Sequence, residues 1–238
     1  MSAELIGMIE PLFSIIIVHS QADSEAASLK RSLDALDRQS YQNFEVLVYY
    51  EGSAPELLEE AVGLRQYPRI SRYEWRDEAD DDAVSLRERG MSQARGEYII
   101  HLMPEDLLYD FALERIVSVM RTPRRNLAVD PRSGQILEGF PELAVDMNRN
   151  DILIMAIVRV GVECDGTRYW MNRQGDRRSG MMLSGFPALP GLVEPMQFVV
   201  RRAIWEQYGG WKSDTAIFAR MVQEHRARCV PAVLGEHW

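Results

Sequence analysis

The stretch Ala94-Arg95-Gly96-Glu97-Tyr98-Ile99-Ile100-His101-Leu102-Met103-Pro104-Glu105-Asp106 ends a short apolar segment in two adjacent carboxylates. An Ala-Arg-Gly turn leading into a strand from Glu97 to Leu102 delivers Glu105 and Asp106 just past that strand's carboxyl end. Open α/β sheets bind ligands there. Hard oxygen donors at such an edge are where a divalent cation and a diphosphate are expected to meet. The first position that calls for an acid is Met103, whose thioether is too soft for magnesium or manganese. Asp106 has a second reading, as the N-cap of an amphipathic helix running from Asp106 to Met120.

The elements that must position this edge recur in an alternating rhythm. Phe13-Ser14-Ile15-Ile16-Ile17-Val18 is a β-branched run of the kind buried on both faces. Leu29, Leu33 and Leu36 follow at helical spacing behind the capping residues Asp23 and Ser24. Asn43 to Tyr50 reads as a second strand, Pro55-Glu56 as a helix start, and Arg69 to Trp75 as a weaker third strand. The acidic run Asp77 to Asp82 precedes a helix reaching Gln93, and reads as carboxylates against a helix N-terminus. This order implies right-handed crossovers and a parallel sheet.

After Thr122 the pattern changes. Thr122 to Asn150 reads as a long irregular connection, Ile152 to Glu163 as a strand, and Cys164-Asp165-Gly166-Thr167 as a hairpin turn. Gln174 to Pro195 is rich in Gly, Pro and Met and reads as a mobile loop. Phe198 to Arg202 is strand-like, a short helix ends at Gly209-Gly210, a last helix covers about Asp214 to His225, and Cys229 to Leu234 closes the chain.

A length of 238 residues with no repeat or linker fits one domain, 1–238. A net charge of −9 leaves no basic field to displace phosphate counterions, so nucleic acid is not an expected partner. Two cysteines, Cys164 and Cys229, make no disulfide framework and read as reduced. Met1 to Pro11 lacks a basic leader, and the apolar stretches are of strand length, too short for a transmembrane segment. The expected location is cytoplasmic.

Three collinear stretches carry a resemblance: Ser40-Tyr41-Gln42-Asn43-Phe44-Glu45, then Ala94-Arg95-Gly96-Glu97-Tyr98-Ile99, then Arg201-Arg202 followed by Gly209-Gly210-Trp211. Together they resemble the family 2 glycosyltransferases of the GT-A fold. The resemblance implies an α/β protein with a mostly parallel central sheet flanked by helices and a small antiparallel element in the second half. It also implies a donor-binding half over about 11–121 and an acceptor side over about 122–238. The implied activity is transfer of a sugar from a nucleotide-diphospho-sugar to an acceptor hydroxyl, with inversion, in polysaccharide or glycoconjugate synthesis.

Site residues follow from the same resemblance. His19 and Ser20 stand in the segment that lies beside the nucleotide. Tyr50 and Glu51 replace an aspartate pair that contacts base and ribose. Glu51 keeps an acceptor for a ribose hydroxyl, and Tyr50 either stacks on a base or packs as a core aromatic. Arg87 matches an Ala-Arg-Asn motif whose asparagine is Glu88 here, and its fork suits phosphate oxygens; an ordinary helix-surface arginine is the other reading. Met103-Pro104-Glu105 falls on the Asp-x-Asp motif, which leaves Glu105, assisted by Asp106, to hold Mg²⁺ or Mn²⁺ weakly or not at all. Asp214 takes the place of the general base, or else caps the last helix. His237 resembles a C-terminal histidine that approaches metal or phosphate. Loss of the aspartate pair, the asparagine and the first metal acid together supports an alternative, a catalytically inactive relative that binds a nucleotide, a glycan or a protein partner.

Overall fold

The computed structural model describes residues 12–19, 25–51, 62–76, 83–121, 128–129, 136–137, 151–162, 168–171, 182–183, 195–209, 216–225 and 227–237. Its first half is the expected alternation. Strands β1 (Phe13–His19), β2 (Phe44–Glu51), β3 (Ile70–Arg76) and β4 (Tyr98–Leu102) lie in the order β3-β2-β1-β4, every pair parallel. Helices α1 (Glu25–Asp37), α2 (Ala83–Gln93) and α3 (Ala112–Arg121) cross between them or follow them. The helix expected at Pro55-Glu56 and the acidic run Asp77 to Asp82 lie outside the described residues.

Alternation along β1 sorts the core into two layers. Phe13, Ile15 and Ile17 meet Leu29, Leu33 and Leu36 of α1 and Leu113, Ile116 and Val117 of α3. Ile16 and Val18 face the other way, toward Leu86 and Met91 of α2. Helices α4 (Arg202–Gln207) and α5 (Ala216–Glu224) add Ile204, Trp205, Phe218 and Met221 to that second layer. Helices on both faces explain why β1 is apolar at nearly every position.

Antiparallel pairing enters in the second half. Strand β8 (Ile152–Val162) is flanked by β11 (Phe198–Arg201), which is antiparallel to both β8 and β4, and by β12 (Ala227–His237), which is parallel to β8. Strand β9 (Arg168–Met171) closes the expected hairpin on β8, and β10 (Met182–Leu183) also pairs with β8. Within Thr122 to Asn150, read as irregular, β6 (Ala128–Val129) and β7 (Ile136–Leu137) form a small antiparallel ribbon. The rest of that connection, most of Gln174 to Pro195, and the turn Cys164 to Thr167 lie outside the described residues.

Two differences from the sequence expectation bear on the site. The helix expected from Asp106 starts only at Ala112, because Leu107–Leu108 form a strand, β5, that pairs antiparallel with β12. Asp106 is therefore not an N-cap of α3. The last strand also runs past Leu234 to His237, with register shifts between Val230 and Val233 and again before Gly235. Pro231 sits in the first shift, where a residue without an N–H leaves no ladder bond unmade.

The family-like polar residues turn out to be structural. Glu45, buried in β2, accepts hydrogen bonds from Ser14 Oγ at 2.7 Å, the Arg95 backbone N–H at 2.7 Å, Arg95 Nε at 2.9 Å and Ser71 Oγ at 3.0 Å. One carboxylate thus ties β1, β2, β3 and the turn before β4. Burial alone would raise its pKa, but these donors outweigh burial and hold the carboxyl below its ordinary 4.5. Glu45→Gln is expected to cost about 2 kcal/mol at neutral pH, measured by urea unfolding. A depressed carboxyl contributes stability above its unfolded pKa and loses it as pH falls through the folded one. The gap between wild type and variant should therefore narrow in acid below about pH 4.5. A gap that does not change with pH would show that the charge contributes nothing.

Candidate functional site

The carboxyl ends of β1, β2 and β4 share one edge. The register sets His19 beside Tyr50 and Ile17 beside Leu102, so Met103 emerges next to the end of β1. The loop Met103 to Asp106 is a closed turn. Asp106 N–H donates to Met103 O at 3.0 Å, and Met103 N–H donates back to Asp106 Oδ2 at 2.7 Å. Ser32 of α1 secures the loop from below, its hydroxyl bonding Pro104 O at 3.0 Å and also Asp106 O. Nothing in the sequence marks Ser32, which reads only as a polar residue on a helix.

Two other elements reach into the turn. From α2, Arg87 Nη2 approaches Met103 Sδ at 2.9 Å. From β12, His237 Nδ1 stands 2.7 Å from Asp106 Oδ1. Gly235 permits that second approach, since a Cβ there would lie 2.5 Å from Leu107 O, and β12 could not close on β5. Tyr109 Oη to Glu236 Oε1, at 3.0 Å, holds the same pairing. His237 is thus fixed against Asp106 by strand pairing more than one hundred residues away in sequence.

The electrostatics follow from burial. Asp106 is 1% exposed, and desolvation raises its carboxyl pKa above 3.8 against the opposing pull of His237, the Met103 N–H and Arg87. Arg87 is 8% exposed, and burial lowers its pKa while the charges of Asp106 and Glu105 support the cation. An arginine stays protonated under such shifts. His101, behind the site in β4, is pushed well below 6.5 by burial and by Arg87, and is neutral at physiological pH. The result is an edge with a fixed guanidinium beside an aspartate–histidine pair, an arrangement able to receive an oxyanion.

The expected site residues divide into three sets. Arg87, Glu105, Asp106 and His237 come together at the turn. His19 and Tyr50 lie at the same edge but are buried, 2% and 6% exposed, with ring centroids 5.3 Å apart. Tyr50 belongs to the core cluster with Leu29 and Val48, so it presents no open face on which a base would stack. Glu51 is the last residue of β2, and its side chain is outside what the structure describes. Ser20 and Asp214 lie outside the described residues. Glu88, next to Arg87, lines an open cavity of about 370 Å³ between α2 and α4 with Met91, Ser92, Ile99, Arg202 and Trp205.

Comparison with known proteins gives concordant results. The family model for glycosyl transferase family 2 matches residues 14–207. The amylovoran biosynthesis glycosyltransferase AmsB of Erwinia amylovora is 28% identical over 109 residues, 45% of this chain and 35% of that protein. The chain thus spans about a third of that relative's length. S. aureus TarS 1-349 superposes with a TM-score of 0.59 at 13% identity, over 94% of this chain and 60% of that one. TarS crystal structures include complexes with UDP and with UDP-GlcNAc. The mannosyltransferase PcManGT from Pyrobaculum calidifontis, in complex with GDP-Man and Mn²⁺, superposes at 0.57 with 14% identity, over 97% and 57% of the two chains. At these identities the structures speak for the fold alone, which is GT-A.

A cation of the PcManGT kind asks for several oxygen ligands in near-octahedral order. Here Met103 offers sulfur, and Asp106 has one oxygen on the Met103 N–H and the other on His237. Among the described residues no group of three His, Cys, Asp or Glu side chains is placed to hold one metal ion. The described residues do not form such a cage, and Glu105 is the loop's one remaining carboxylate. Collinear motifs, a shared fold and a family model covering most of the chain agree: this protein is a member of glycosyl transferase family 2.

Proposed function

We propose that this chain transfers a hexose from a nucleotide-diphospho-sugar to an acceptor hydroxyl, with inversion, in the building of a polysaccharide or glycoconjugate. The observation that carries the reading is the convergence of Arg87, Glu105, Asp106 and His237 at the carboxyl edge of a parallel sheet. The donor's nucleoside lies over Ser20 and Glu51, with buried His19 and Tyr50 supporting that floor, and its diphosphate faces Arg87. The donors in the TarS and PcManGT complexes, and the polysaccharide named for AmsB, support the same class of substrate.

The step is a single displacement. An acceptor oxygen forms a bond to the anomeric carbon while the carbon–oxygen bond to the diphosphate breaks. The electron pair leaves on the diphosphate, and the acceptor's proton passes to Asp214. Charge develops on the departing oxygens, and donors already fixed in place stabilise it without reorganisation.

A second reading is a catalytically inactive relative, and Met103 packed on Arg87 in place of an acid favours it. Calorimetric titration with UDP, GDP and TDP, followed by a turnover screen of common nucleotide sugars, separates the two. Binding of one nucleotide and transfer from its sugar is the expected result. Binding without turnover would leave the inactive relative. No binding of any nucleotide would remove the donor site itself.

A further inference from the structure

We propose that Ser32 is a positioning residue of the donor site, whose hydroxyl holds Glu105 where its carboxylate accepts a hydrogen bond from a hydroxyl of the donor. The proposal rests on the donor-site reading above and deepens it. Ser32 is 1% exposed and stands in helical phase with Leu29 and Leu36 of α1. A serine in such a stripe is costly unless its hydroxyl is bonded. Helical serines commonly bond the carbonyl four residues back. Ser32 instead reaches 72 and 74 residues along the chain, to Pro104 O at 3.0 Å and to Asp106 O.

Glu105 is the residue between these two anchors. The peptide after it is fixed by Asp106 N–H donating to Met103 O at 3.0 Å. The peptide before it carries Pro104 O, which Ser32 turns down onto α1. One hydroxyl has one proton, so the two carbonyls share it, and the turn is held at its entry to Glu105 and at its exit toward β5. Glu105 thus keeps its direction through its backbone. Its side chain is partly exposed, and its carboxylate makes no hydrogen bond among the described residues. A carboxylate only accepts hydrogen bonds, and a neighbouring diphosphate repels it, so the donor groups that suit it are hydroxyls of the ribose or of the hexose. Without the Ser32 hydroxyl, Pro104 O is released, and Glu105 turns with it.

The experiment titrates the full chain calorimetrically with UDP, UDP-GlcNAc, GDP and GDP-Man, in EDTA and again in Mn²⁺. The proteins are the wild type, Ser32→Ala, Glu105→Ala and the double variant. Ser32→Ala is expected to weaken binding about fivefold, the share of one well-placed hydrogen bond. A loss confined to the nucleotide sugars assigns the hexose hydroxyl, and a loss shared by the nucleoside diphosphates assigns the ribose. In the Glu105→Ala background the same change is expected to cost less than about twofold, because the acid that Ser32 positions is already gone. Ser32→Cys keeps the bulk with a weak donor and carries the same test where Ser32→Ala does not fold. Tyr49→Phe is the structural control. It removes a hydroxyl from an equally buried residue, bonded to Gln93 at the end of α2, and is expected to leave affinity within about twofold of the wild type. Three results would overturn the proposal and leave the donor site standing: a folded Ser32 variant with wild-type affinity, a Glu105→Ala variant with wild-type affinity, or a Ser32→Ala loss undiminished in the Glu105→Ala background. Absence of binding by the wild type in every condition would overturn both.

Discussion

Asp214→Asn is expected to lower kcat by about 10²–10⁴-fold, the usual contribution of a positioned general base. The substitution separates the two roles open to this residue. Asparagine caps a helix about as well as aspartate, so a capping residue would tolerate the change almost silently. It cannot take a proton, so a base would not. Helix α5 is described from Ala216, and Asp214 lies outside the described residues, so the experiment decides between the roles. The measurement pairs turnover with calorimetry of the donor nucleotide. Loss of rate with donor affinity held within about twofold identifies an interaction made in the transition state. A variant that keeps a tenth or more of the wild-type rate would take Asp214 out of the mechanism.

The same contrast between local and tertiary information explains which parts of this protein were legible in its sequence. The continuous β-branched run of β1 announces a strand covered on both faces, and it has helices on both. Leu29, Leu33 and Leu36 announce the stripe that α1 buries. These are properties of single elements. Asp106 is different. Leu108 and Ala112 fall in helical phase with Leu113, Ile116 and Val117, so the local pattern extends the helix back to Asp106. What prevents it is β12, which pairs with Leu107–Leu108 from the far end of the chain. No window around residue 106 contains that fact. The pairing also sets His237 on Asp106, so the misplaced helix start and the buried aspartate–histidine pair have one cause.

The family-like motifs were legible as motifs but not as to purpose. Ser14, Glu45 and Arg95 are polar residues in conspicuous stretches, of the kind that invites a catalytic reading. They bond to one another, at the amino-terminal side of the sheet where β1 and β4 begin. In contrast, Met103 looked like damage to a site. It packs against Arg87, and side-chain packing of that sort has no spacing rule from which to read it.

Gly96→Ala is expected to destabilise the protein by about 3 kcal/mol, roughly a hundredfold in the folding equilibrium. A Cβ at this position would lie 2.4 Å from the backbone nitrogen of Ser14 and 2.6 Å from the carbonyl carbon of Phe13. The requirement is for close approach of two backbones, so that Gly96 N–H can donate to Ser14 Oγ at 2.8 Å while that hydroxyl donates to Glu45. Moving the turn outward by the distance a methyl group needs would break this chain of bonds and shift the start of β4, which delivers Met103 to Asp106 at its other end. Gly90→Ala is the control. Its Cβ would also be crowded, but by the Ile16 Cγ2 methyl at 2.8 Å and the Tyr49 ring at 3.0 Å. The Ile16 methyl sits directly on a stiff β-branched carbon and both neighbours are buried, so they yield only at a cost, which alanine's gain of close to 1 kcal/mol over glycine inside a helix such as α2 partly offsets. The net cost at Gly90 is expected to be about 1 kcal/mol, well below that at Gly96. Urea unfolding of both variants decides the matter: equal midpoints would mean that the Ala-Arg-Gly turn is not pinned by backbone contact, and that its glycine answers to something other than the geometry of β1.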